Sequence, residues 1–380
     1  MNQVRVAIIG GGLSGLYAAY GLECQGIADY VVLEARDRLG GRVLSVPPLP
    51  GHTTAMGMND RFDLGPSWFW PEYQPQLDQL VKDLGLERFS QSEVGDALIE
   101  RSSEAAPVRV GGYVTAPPSM RLTGGMQMLI EALVAQLDGR KLLKGMRVNQ
   151  LDVQDRHVTL RAVDASGEIC TWAAEQVLLA LPPRLALHAL TFSPGLPAQL
   201  VQQWQHTPTW MAPHAKYVAV YNARFWKPQG LSGQARSTVG PMVELHDASS
   251  PGGHGALFGF IGLPASARCR LSPLELKRLC RAQLVRLFGE QAGMPVSEHL
   301  QDWAQEPLTA VPADVLGQEH TSVLPRTTPE TGPWQGRLIG IGSEWSAQYP
   351  GYLAGAIDAA SQGIQALTQA ASPLPLNTSL

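Results

Sequence analysis

A glycine-rich turn between an apolar strand and a small-residue helix is the feature that most limits how this chain can fold. The apolar run Val4–Ile9 predicts a buried strand, Leu16–Glu23 predicts a helix, and Tyr30–Leu33 predicts a second buried strand. Strand, helix and strand in this order form one βαβ unit, and near-continuous apolar strands are typical of a parallel sheet covered on both faces. The sequence therefore predicts an α/β fold with a doubly wound parallel sheet.

The turn itself reads Gly10-x-Gly12-x-x-Gly15. In such a turn the first glycine permits the sharp bend, the second lets a pyrophosphate approach the backbone, and the third lets helix and strand pack closely. The N-terminus of the helix offers free N–H groups and a positive dipole end to phosphates. Glu34 ends the second strand, where a carboxylate can accept both ribose hydroxyls and would repel a 2′-phosphate. The turn predicts an adenine dinucleotide; the alternative is a glycine turn with a structural role only.

The segment Glu34–Arg42 strengthens this interpretation, because it adds a second glycine pair and further basic residues close to the expected phosphates. NAD enzymes do not need such a segment. A large, permanently bound dinucleotide can use it, since arginine forms bidentate charge-assisted bonds to phosphate. The alternative is that Arg36 and Arg42 lie on an ordinary solvated face.

Composition excludes several kinds of partner and site. The net charge is -4, only 16% of residues are charged, and lysine and arginine form no cluster, so nucleic acid is not expected. The 4 cysteines form no CxxC and the 9 histidines show no ligand spacing, so neither a disulfide framework nor a metal site is expected. Free thiols are typical of a cytoplasmic protein. No apolar run reaches the roughly 18 residues that cross a bilayer, so no membrane partner is expected.

The rest of the chain contains further elements of the same two kinds. Val177–Leu181 and Leu338–Ile341 are apolar runs that predict buried strands, and Lys216–Tyr221 alternates like a half-buried strand. Other predicted strands and helices are Met126–Leu137, Val148–Leu151, Val158–Val163, Pro273–Phe288 and Gly351–Leu367.

Lys216 has an unusual position in its predicted strand. Alternation places it on one face with Val218 and Val220. Burying an ammonium is costly unless something requires it, and burial would lower its pKa. The pattern indicates a functional lysine; the alternative is an edge-strand lysine at the surface.

The chain resembles the flavin-containing amine oxidase family, which includes monoamine oxidases, polyamine oxidases and L-amino-acid oxidases. The order of the matching segments and the last two of them are fairly specific. These segments are GGGLSG at 10–15, EARDRLGGR at 34–42, DLGPSW at 63–68, GGM at 124–126, LLALPP at 178–183, AKYVAVYNARFW at 215–226 and GSEWSAQYPGYLAGA at 342–356.

The resemblance implies two domains: a Rossmann-like FAD-binding domain built from three separate segments, and a smaller α+β substrate domain. The expected ranges are 1–70, 121–190 and 326–372 for the FAD-binding domain, 71–120 and 191–325 for the substrate domain, and 373–380 for a flexible tail.

The resemblance also implies how FAD is bound. It places Glu34 on the adenosine ribose, Arg42 near the pyrophosphate, Val148 on the adenine through backbone groups, and Glu344 at the ribityl–pyrophosphate region. Gly351 would begin a helix aimed at the pyrimidine edge of the flavin. The candidate cofactor-binding residues are Gly10, Gly12, Leu13, Ser14, Gly15, Glu34, Ala35, Arg36, Gly41, Arg42, Pro66, Ser67, Val148, Glu344, Gly351 and Tyr352.

Non-covalent FAD is expected, because the stretch that carries the flavin-linking cysteine in monoamine oxidases has none here. The last cysteine of the chain is Cys280.

Three residues are implied as catalytic: Lys216, Tyr352 and Trp68. Lys216 would hold a water against flavin N5, and Tyr352 would form one wall of an aromatic cage that aligns the amine. The second cage aromatic is expected near residues 311–313, where this chain has none. Either the cage is incomplete, or one of three other aromatics takes the place: Trp334, Trp345 or Tyr349.

Trp68 stands where L-amino-acid oxidases carry an arginine that binds the substrate carboxylate, so a carboxylate grip is not expected there. Trp68 would line an apolar pocket beside the flavin, or else belong to a domain-interface core.

The expected activity is that of an FAD-dependent oxidase of a primary or secondary amine with an apolar or aromatic substituent. Its partners would be a small-molecule amine and O2, and its products an imine, hydrolysed to an aldehyde or ketone, and hydrogen peroxide. One alternative is an FAD-dependent desaturase or protoporphyrinogen-oxidase-like enzyme, a class that usually lacks the lysine. The other is a non-catalytic FAD-binding partner protein. The sequence leaves the substrate, the physiological electron acceptor and the oligomeric state open.

Overall fold

A computed structural model describes residues 1–49, 60–112, 114–315 and 324–370 of the chain. Contacts divide the chain into two compact units, each assembled from separate segments. The first unit comprises Met1–Gly41, Leu133–Trp210 and Glu319–Leu380, and the second comprises Arg42–Ala132 and Met211–Gln318. These bounds differ from the expected domain ranges at residues 42–70, 121–132, 191–210 and 319–325.

The described residues form both strands and helices. The strands are β1 (Asn2–Ile9), β2 (Tyr30–Glu34), β3 (Ser45–Val46), β4 (Phe62–Asp63), β5 (Arg88–Ser90), β6 (Asp96–Glu100), β7 (Val108–Val110), β8 (Met120–Leu122), β9 (Leu142–Lys144), β10 (Arg147–Val153), β11 (Val158–Val163), β12 (Ile169–Leu179), β13 (Thr191–Ser193), β14 (Ala215–Tyr221), β15 (Leu231–Ser237), β16 (Met242–Asp247), β17 (Gly255–Ile261), β18 (Ser297–Asp302) and β19 (Leu338–Gly340). The α-helices are α1 (Leu13–Cys24), α2 (Pro75–Asp83), α3 (Gln127–Ala135), α4 (Pro183–Ala189), α5 (Ala198–Gln205), α6 (Ala265–Arg268), α7 (Pro273–Phe288), α8 (Pro312–Val315) and α9 (Leu353–Ala370).

The first unit is built on a sheet in the order β13-β10-β11-β12-β1-β2-β9, with β19 paired to β12. The pairs β1–β2, β1–β12, β2–β9 and β12–β19 are parallel. Ile8, Val32 and Leu178 in these strands are completely buried, as expected for a parallel sheet covered on both faces. The predicted α/β, Rossmann-like fold is confirmed.

The same sheet contains an antiparallel addition that the sequence did not predict. Strands β10, β11 and β12 pair antiparallel in succession. The Gln154 N–H donates to His157 O across the first connection, and the Asp164 side chain accepts the N–H groups of Ser166 and Glu168 in the second. Connections this short cannot cross over to a parallel strand, so the three strands form hairpins.

The second unit contains a sheet in the order β18-β14-β17-β16-β15-β6-β7. Helix α7 covers one face of it, and its first turn is capped by Ser272, whose Oγ accepts the Glu275 N–H at 3.1 Å. Strand β14 contributes Tyr217 and Ala219 to the core on that face. The period-two alternation read from the sequence therefore places the intervening residues of β14, Lys216 among them, on the opposite face.

No helix within the described residues is both long enough and apolar enough to span a lipid bilayer.

Candidate functional site

The glycine turn connects β1 to α1 with very little space around it. The Gly10 N–H donates to Leu33 O at 2.9 Å, and Gly10 has φ +106, a conformation that favours glycine. A Cβ on Gly15 would lie 2.0 Å from Gly10 O. The packing of the protein itself therefore requires glycine at both positions.

Neither the backbone conformation of Gly12 nor its contacts within the described residues require a glycine at this position. It is the N-cap of α1 with φ -75, and a Cβ there would meet only ordinary contacts, the nearest being Gly41 Cα at 3.8 Å. Gly12 has no side chain, so α1 begins without a side-chain cap on its first-turn N–H groups. Open space beside such donors fits a phosphate group.

The second glycine pair lies directly beside this turn. Gly40 forms a parallel bridge with Gly12, and the Gly40 N–H donates to Gly11 O at 2.8 Å. Gly41 has φ +58, and a Cβ on it would come within 3.2 Å of Gly12 Cα. Both glycine segments singled out in the sequence thus border the same space.

Glu34 is held at the end of β2 by the backbone around it. Its side chain is buried; Oε2 accepts the Gly11 N–H at 2.7 Å and Oε1 accepts the Arg36 N–H at 2.8 Å. A carboxylate oxygen can accept two hydrogen bonds, so each oxygen keeps capacity for a ribose hydroxyl. The Met146 N–H donates to Glu34 O at 2.8 Å and brings the start of β10, where Val148 is buried, beside the end of β2.

The C-terminal segment joins the same unit. Ser14 Oγ donates to Ile341 O, just before the predicted Glu344. Glu344 is buried and its Oε2 accepts the hydroxyl of Ser343 at 3.0 Å. The Gly351 N–H donates to Ser343 O at 3.1 Å, which sets the start of α9 beside this segment.

Tyr352 is 40% exposed and directly precedes α9. Its aromatic neighbour is Trp210, with ring centroids 6.3 Å apart and an interplanar angle of 31°. Gly351 allows this approach, because a Cβ there would lie 2.3 Å from Trp210 Cβ. Met211, next to this tryptophan, has φ 62, a conformation that costs a non-glycine residue about 1–2 kcal/mol. No pattern in the sequence connected Trp210 with Tyr352.

Two of the aromatics named as candidates for the second wall are core residues. Trp345 is completely buried with its ring edge-on to Trp204, and Trp334 is 1% exposed. Neither ring is available at a surface, because both belong to the core of the first unit.

Lys216 lies in the second unit and is buried, as its alternation pattern indicated. Its Nζ donates to Ser67 Oγ at 2.6 Å and to Gly65 O at 3.2 Å, and lies 4.1 Å from the ring centroid of Phe258. Burial lowers the pKa of Lys216 to about 7, and Asp63 opposes this effect. The amine can therefore be charged or neutral near neutral pH.

Trp68 shares an aromatic cluster with Lys216, made of Trp68, His246, Phe258 and Phe260. The Trp68 ring lies 4.8 Å from the ring of His246 and 5.4 Å from that of Phe258, and its Nε1 donates to Gln91 Oε1 at 2.8 Å. The sequence reasoning did not single out the other three members. They occupy alternate positions of β16 and β17, and this alternation was the available signal.

The predicted residues are divided between the units. The first unit holds Gly10, Gly12, Leu13, Ser14, Gly15, Glu34, Ala35, Arg36, Gly41, Val148, Glu344, Gly351 and Tyr352, and the second holds Arg42, Pro66, Ser67, Trp68 and Lys216. Among the described residues, no group of histidine, cysteine and acidic side chains could hold a metal ion.

Two family models match the chain. The model for flavin containing amine oxidoreductases matches residues 89–363, and that for NAD(P)-binding Rossmann-like domains matches residues 8–84. The chain belongs to the flavin-containing amine oxidoreductase family. This confirms the resemblance read from the sequence motifs, and the protein is accordingly a flavin-dependent oxidoreductase of amines.

Individual proteins are similar to the chain in sequence or in fold. The chain is 22% identical to the probable flavin-containing monoamine oxidase A of Dictyostelium discoideum, over 93% of this chain and 95% of the relative. It is 24% identical to putrescine oxidase of Kocuria rosea, over 80% of this chain and 83% of the relative. The solved structure of cyclohexylamine oxidase from Brevibacterium oxydans superposes with a TM-score of 0.78 at 21% identity, over 97% of this chain and 99% of that one.

Gly12→Ala and Gly15→Ala separate cofactor binding from folding. We expect Gly12→Ala to leave the melting temperature of the apoprotein unchanged and to weaken FAD binding at least about 10-fold, because its Cβ would fill only the open space. Gly15→Ala should lower that melting temperature, since its Cβ collides with the backbone. Thermal melts and FAD titration of the two apoproteins provide the measurement. Wild-type FAD affinity in Gly12→Ala would contradict the phosphate assignment.

Lys216→Met tests the buried amine through the pH dependence of stability. The folded pKa is lowered from 10.5 to about 7, so between these values the unfolded chain holds a proton that the folded chain lacks. Stability therefore rises with pH across this window, and from pH 7 to pH 9 wild type should gain about 2 kcal/mol relative to Lys216→Met. Urea unfolding of both apoproteins at the two pH values measures it. A difference independent of pH would mean that Lys216 titrates normally.

Proposed function

We propose that the protein is an FAD-dependent amine oxidase that removes a hydride from the carbon next to an amine nitrogen. The resulting imine is hydrolysed to an aldehyde or ketone, and O2 takes up the two electrons with two protons to give hydrogen peroxide. The observation that carries the proposal is the buried amine of Lys216 in the family segment that precedes Phe225 and Trp226. Desaturation does not require a buried amine. A non-catalytic partner protein would have no function that offsets the desolvation cost of burying one.

The first unit is proposed to hold the cofactor and the second to carry substrate-binding residues. Bound non-covalently, FAD supplies the hydride acceptor and the route for electrons to O2. We assign the pyrophosphate to the first turn of α1 beside Gly12, and the adenosine ribose to Glu34. We also assign Val148 to the adenine, Glu344 to the ribityl chain and Arg42 to the pyrophosphate, as the family pattern implies.

Lys216 is assigned to the reacting end of the cofactor. Its Nζ has two acceptors, Ser67 Oγ and Gly65 O, which leave its third hydrogen or, in the neutral form, its lone pair for one water. Ser67 therefore sets the direction of the amine. In its charged form the amine also stabilises negative charge that develops on O2, because the charge is held in a buried setting of low dielectric constant.

Tyr352 and Trp210 are proposed to form an aromatic wall for the amine. At a centroid separation of 6.3 Å the two rings touch each other, so no group fits between their faces. The substrate would lie against their outer surface, where the π electrons favour a nitrogen that gains positive charge.

The FAD bound to the purified protein should lose its absorbance when a subset of primary or secondary amines is added under nitrogen. In air the same amines should lead to release of hydrogen peroxide.

Lys216→Met should slow turnover at least about 10-fold with FAD still bound, because it removes the group that holds the water. Lys82→Met is the matched control, since Lys82 is an exposed lysine paired with Asp78. Stopped-flow traces and peroxide detection measure both half-reactions.

The same assay distinguishes the alternatives. Bleaching of the flavin without release of peroxide would identify a dehydrogenase. A flavin that no amine bleaches would leave two alternatives: a desaturase or a non-catalytic FAD-binding partner protein.

Within an active enzyme, Trp210→Ala should lower kcat/KM for amines about 10-fold, as loss of an aromatic cation contact implies. An unchanged value would remove Trp210 from the proposed wall.

Acid precipitation should release all FAD into the supernatant, because no cysteine follows Cys280 to hold the flavin covalently. The absorbance spectrum of the supernatant, compared with that of the native protein, measures the recovery. Yellow colour that persists in the washed pellet would contradict non-covalent binding.

A further inference from the structure

A buried glutamine holds the indole of Trp68 in place. Gln91 follows β5 and is 8% exposed, and its Oε1 accepts the hydrogen bond of Trp68 Nε1 at 2.8 Å. Its Nε2 donates to the carbonyl oxygens of Asp247, at 2.7 Å, and of Ser92, at 3.3 Å. A reversed amide would set two donors against each other at Trp68 and two acceptors against each other at Asp247. The amide therefore satisfies both neighbours in one orientation.

Both ends of this bridge are anchored within the second unit. The Gln91 N–H donates to Ser119 O at 2.9 Å, which holds the glutamine backbone beside the start of β8. Asp247 ends β16 and is completely buried, and its carboxylate accepts the indole N–H of Trp226 at 3.1 Å. The Gln91 amide cannot shift without breaking hydrogen bonds at one end or the other.

The indole that Gln91 holds lies among the groups around the buried amine. The Trp68 ring is 5.4 Å from the ring of Phe258, and Lys216 Nζ is 4.1 Å from the centroid of the same ring. Ser67, which precedes Trp68 in the chain, accepts the hydrogen bond of Lys216 Nζ at 2.6 Å. The direction of the indole is thus linked to the surroundings of Lys216 through a shared ring and through the backbone.

The bridge decides which part of the indole is left for a ligand. Trp68 is half-buried, so part of its ring remains exposed. An indole has a single N–H, and Gln91 already accepts it, so the ring can offer a ligand hydrocarbon and π surface but no hydrogen-bond donor. Such a surface favours apolar groups, and it gives no partner to an ether or hydroxyl oxygen that loses its water there.

We propose that Gln91 is a positioning residue that fixes the Trp68 indole and thereby restricts the enzyme to amines with an apolar substituent. The inference rests on the proposed amine oxidase function, with Lys216 at the reacting end. Gln91 would not touch the substrate; it acts by occupying the one polar group of Trp68. Removal of the amide would free that N–H to turn toward an oxygen or nitrogen acceptor on a substrate.

The test compares two pairs of amines of matched shape, using kcat/KM from peroxide release. The first pair is n-pentylamine and 3-methoxypropylamine, in which an ether oxygen replaces one methylene. The second pair is 2-phenylethylamine and 2-(pyridin-4-yl)ethylamine, in which a nitrogen replaces one ring CH. Wild type should prefer the apolar member of at least one pair about 10-fold or more, because the added acceptor loses its water without gaining a donor.

Gln91→Leu should reduce this preference to less than about 3-fold, chiefly through KM, because the freed N–H supplies the missing hydrogen bond. Gln91→Met keeps the length of the side chain without the amide, and it should change the ratio in the same direction. Gln283→Leu is the matched control, since Gln283 is a completely buried glutamine of α7 whose amide bonds to both backbone groups of Met242. It should lower the melting temperature and keep the wild-type ratio.

Trp68→Phe provides the readout that a merely structural role of Gln91 would not produce. Phenylalanine has no N–H, so Gln91→Leu should leave the ratio unchanged when it is added to Trp68→Phe. A ratio that falls equally in both backgrounds would show that Gln91 does not act through the indole, and would overturn the inference.

The results for wild type distinguish this inference from the proposed function. A wild type that oxidises amines without preferring the apolar member of either pair would overturn the inference and leave the amine oxidase function standing. A preference that survives unchanged in Gln91→Leu would remove Gln91 from it. Oxidation of no amine at all would overturn both.

Discussion

The contact between Gly15 and Gly10 is the constraint on which the first unit depends. A single methyl group at Gly15 would collide with the Gly10 carbonyl, so α1 can start this close to β1 only without a side chain there. Helix α1 begins without a side-chain cap, because its N-cap residue is Gly12. In the same turn, the Gly11 N–H donates a hydrogen bond to the Glu34 carboxylate, and Ser14 Oγ donates one to the carbonyl of Ile341. The N-terminal and C-terminal segments are thereby joined beside the glycine turn.

In the second unit the corresponding constraint is the burial of an amine. An ammonium inside a protein is costly, and here Ser67, Gly65 and the face of Phe258 offset part of that cost. The remaining cost appears as the lowered pKa of Lys216. A group that stays close to its titration point can hold or release a proton at little expense, and the role proposed for Lys216 requires this property.

The sequence predicted well wherever the cause was local. The Gly-x-Gly-x-x-Gly turn, the alternation around Lys216 and the helix Pro273–Phe288 all follow from neighbouring residues, and the structure has each of them. The sequence predicted strands within β10, β11 and β12 but not their antiparallel pairing, because a parallel sheet was extrapolated from its first βαβ unit. It also named Trp345 and Trp334 as candidate wall residues from their position in the chain, and both proved to be core residues.

By itself the sequence determined the family, the nucleotide-binding turn and the presence of a lysine on an apolar face, since each depends on a short pattern with its own physical cause. The tertiary structure alone decided which aromatic meets Tyr352 and which side chain holds the Trp68 indole. Trp210 reaches its position through a glycine close approach, and Gln91 through the hydrogen bond of its backbone to Ser119. Both arise from contacts between distant segments, and a local pattern of residues does not encode which segments will meet.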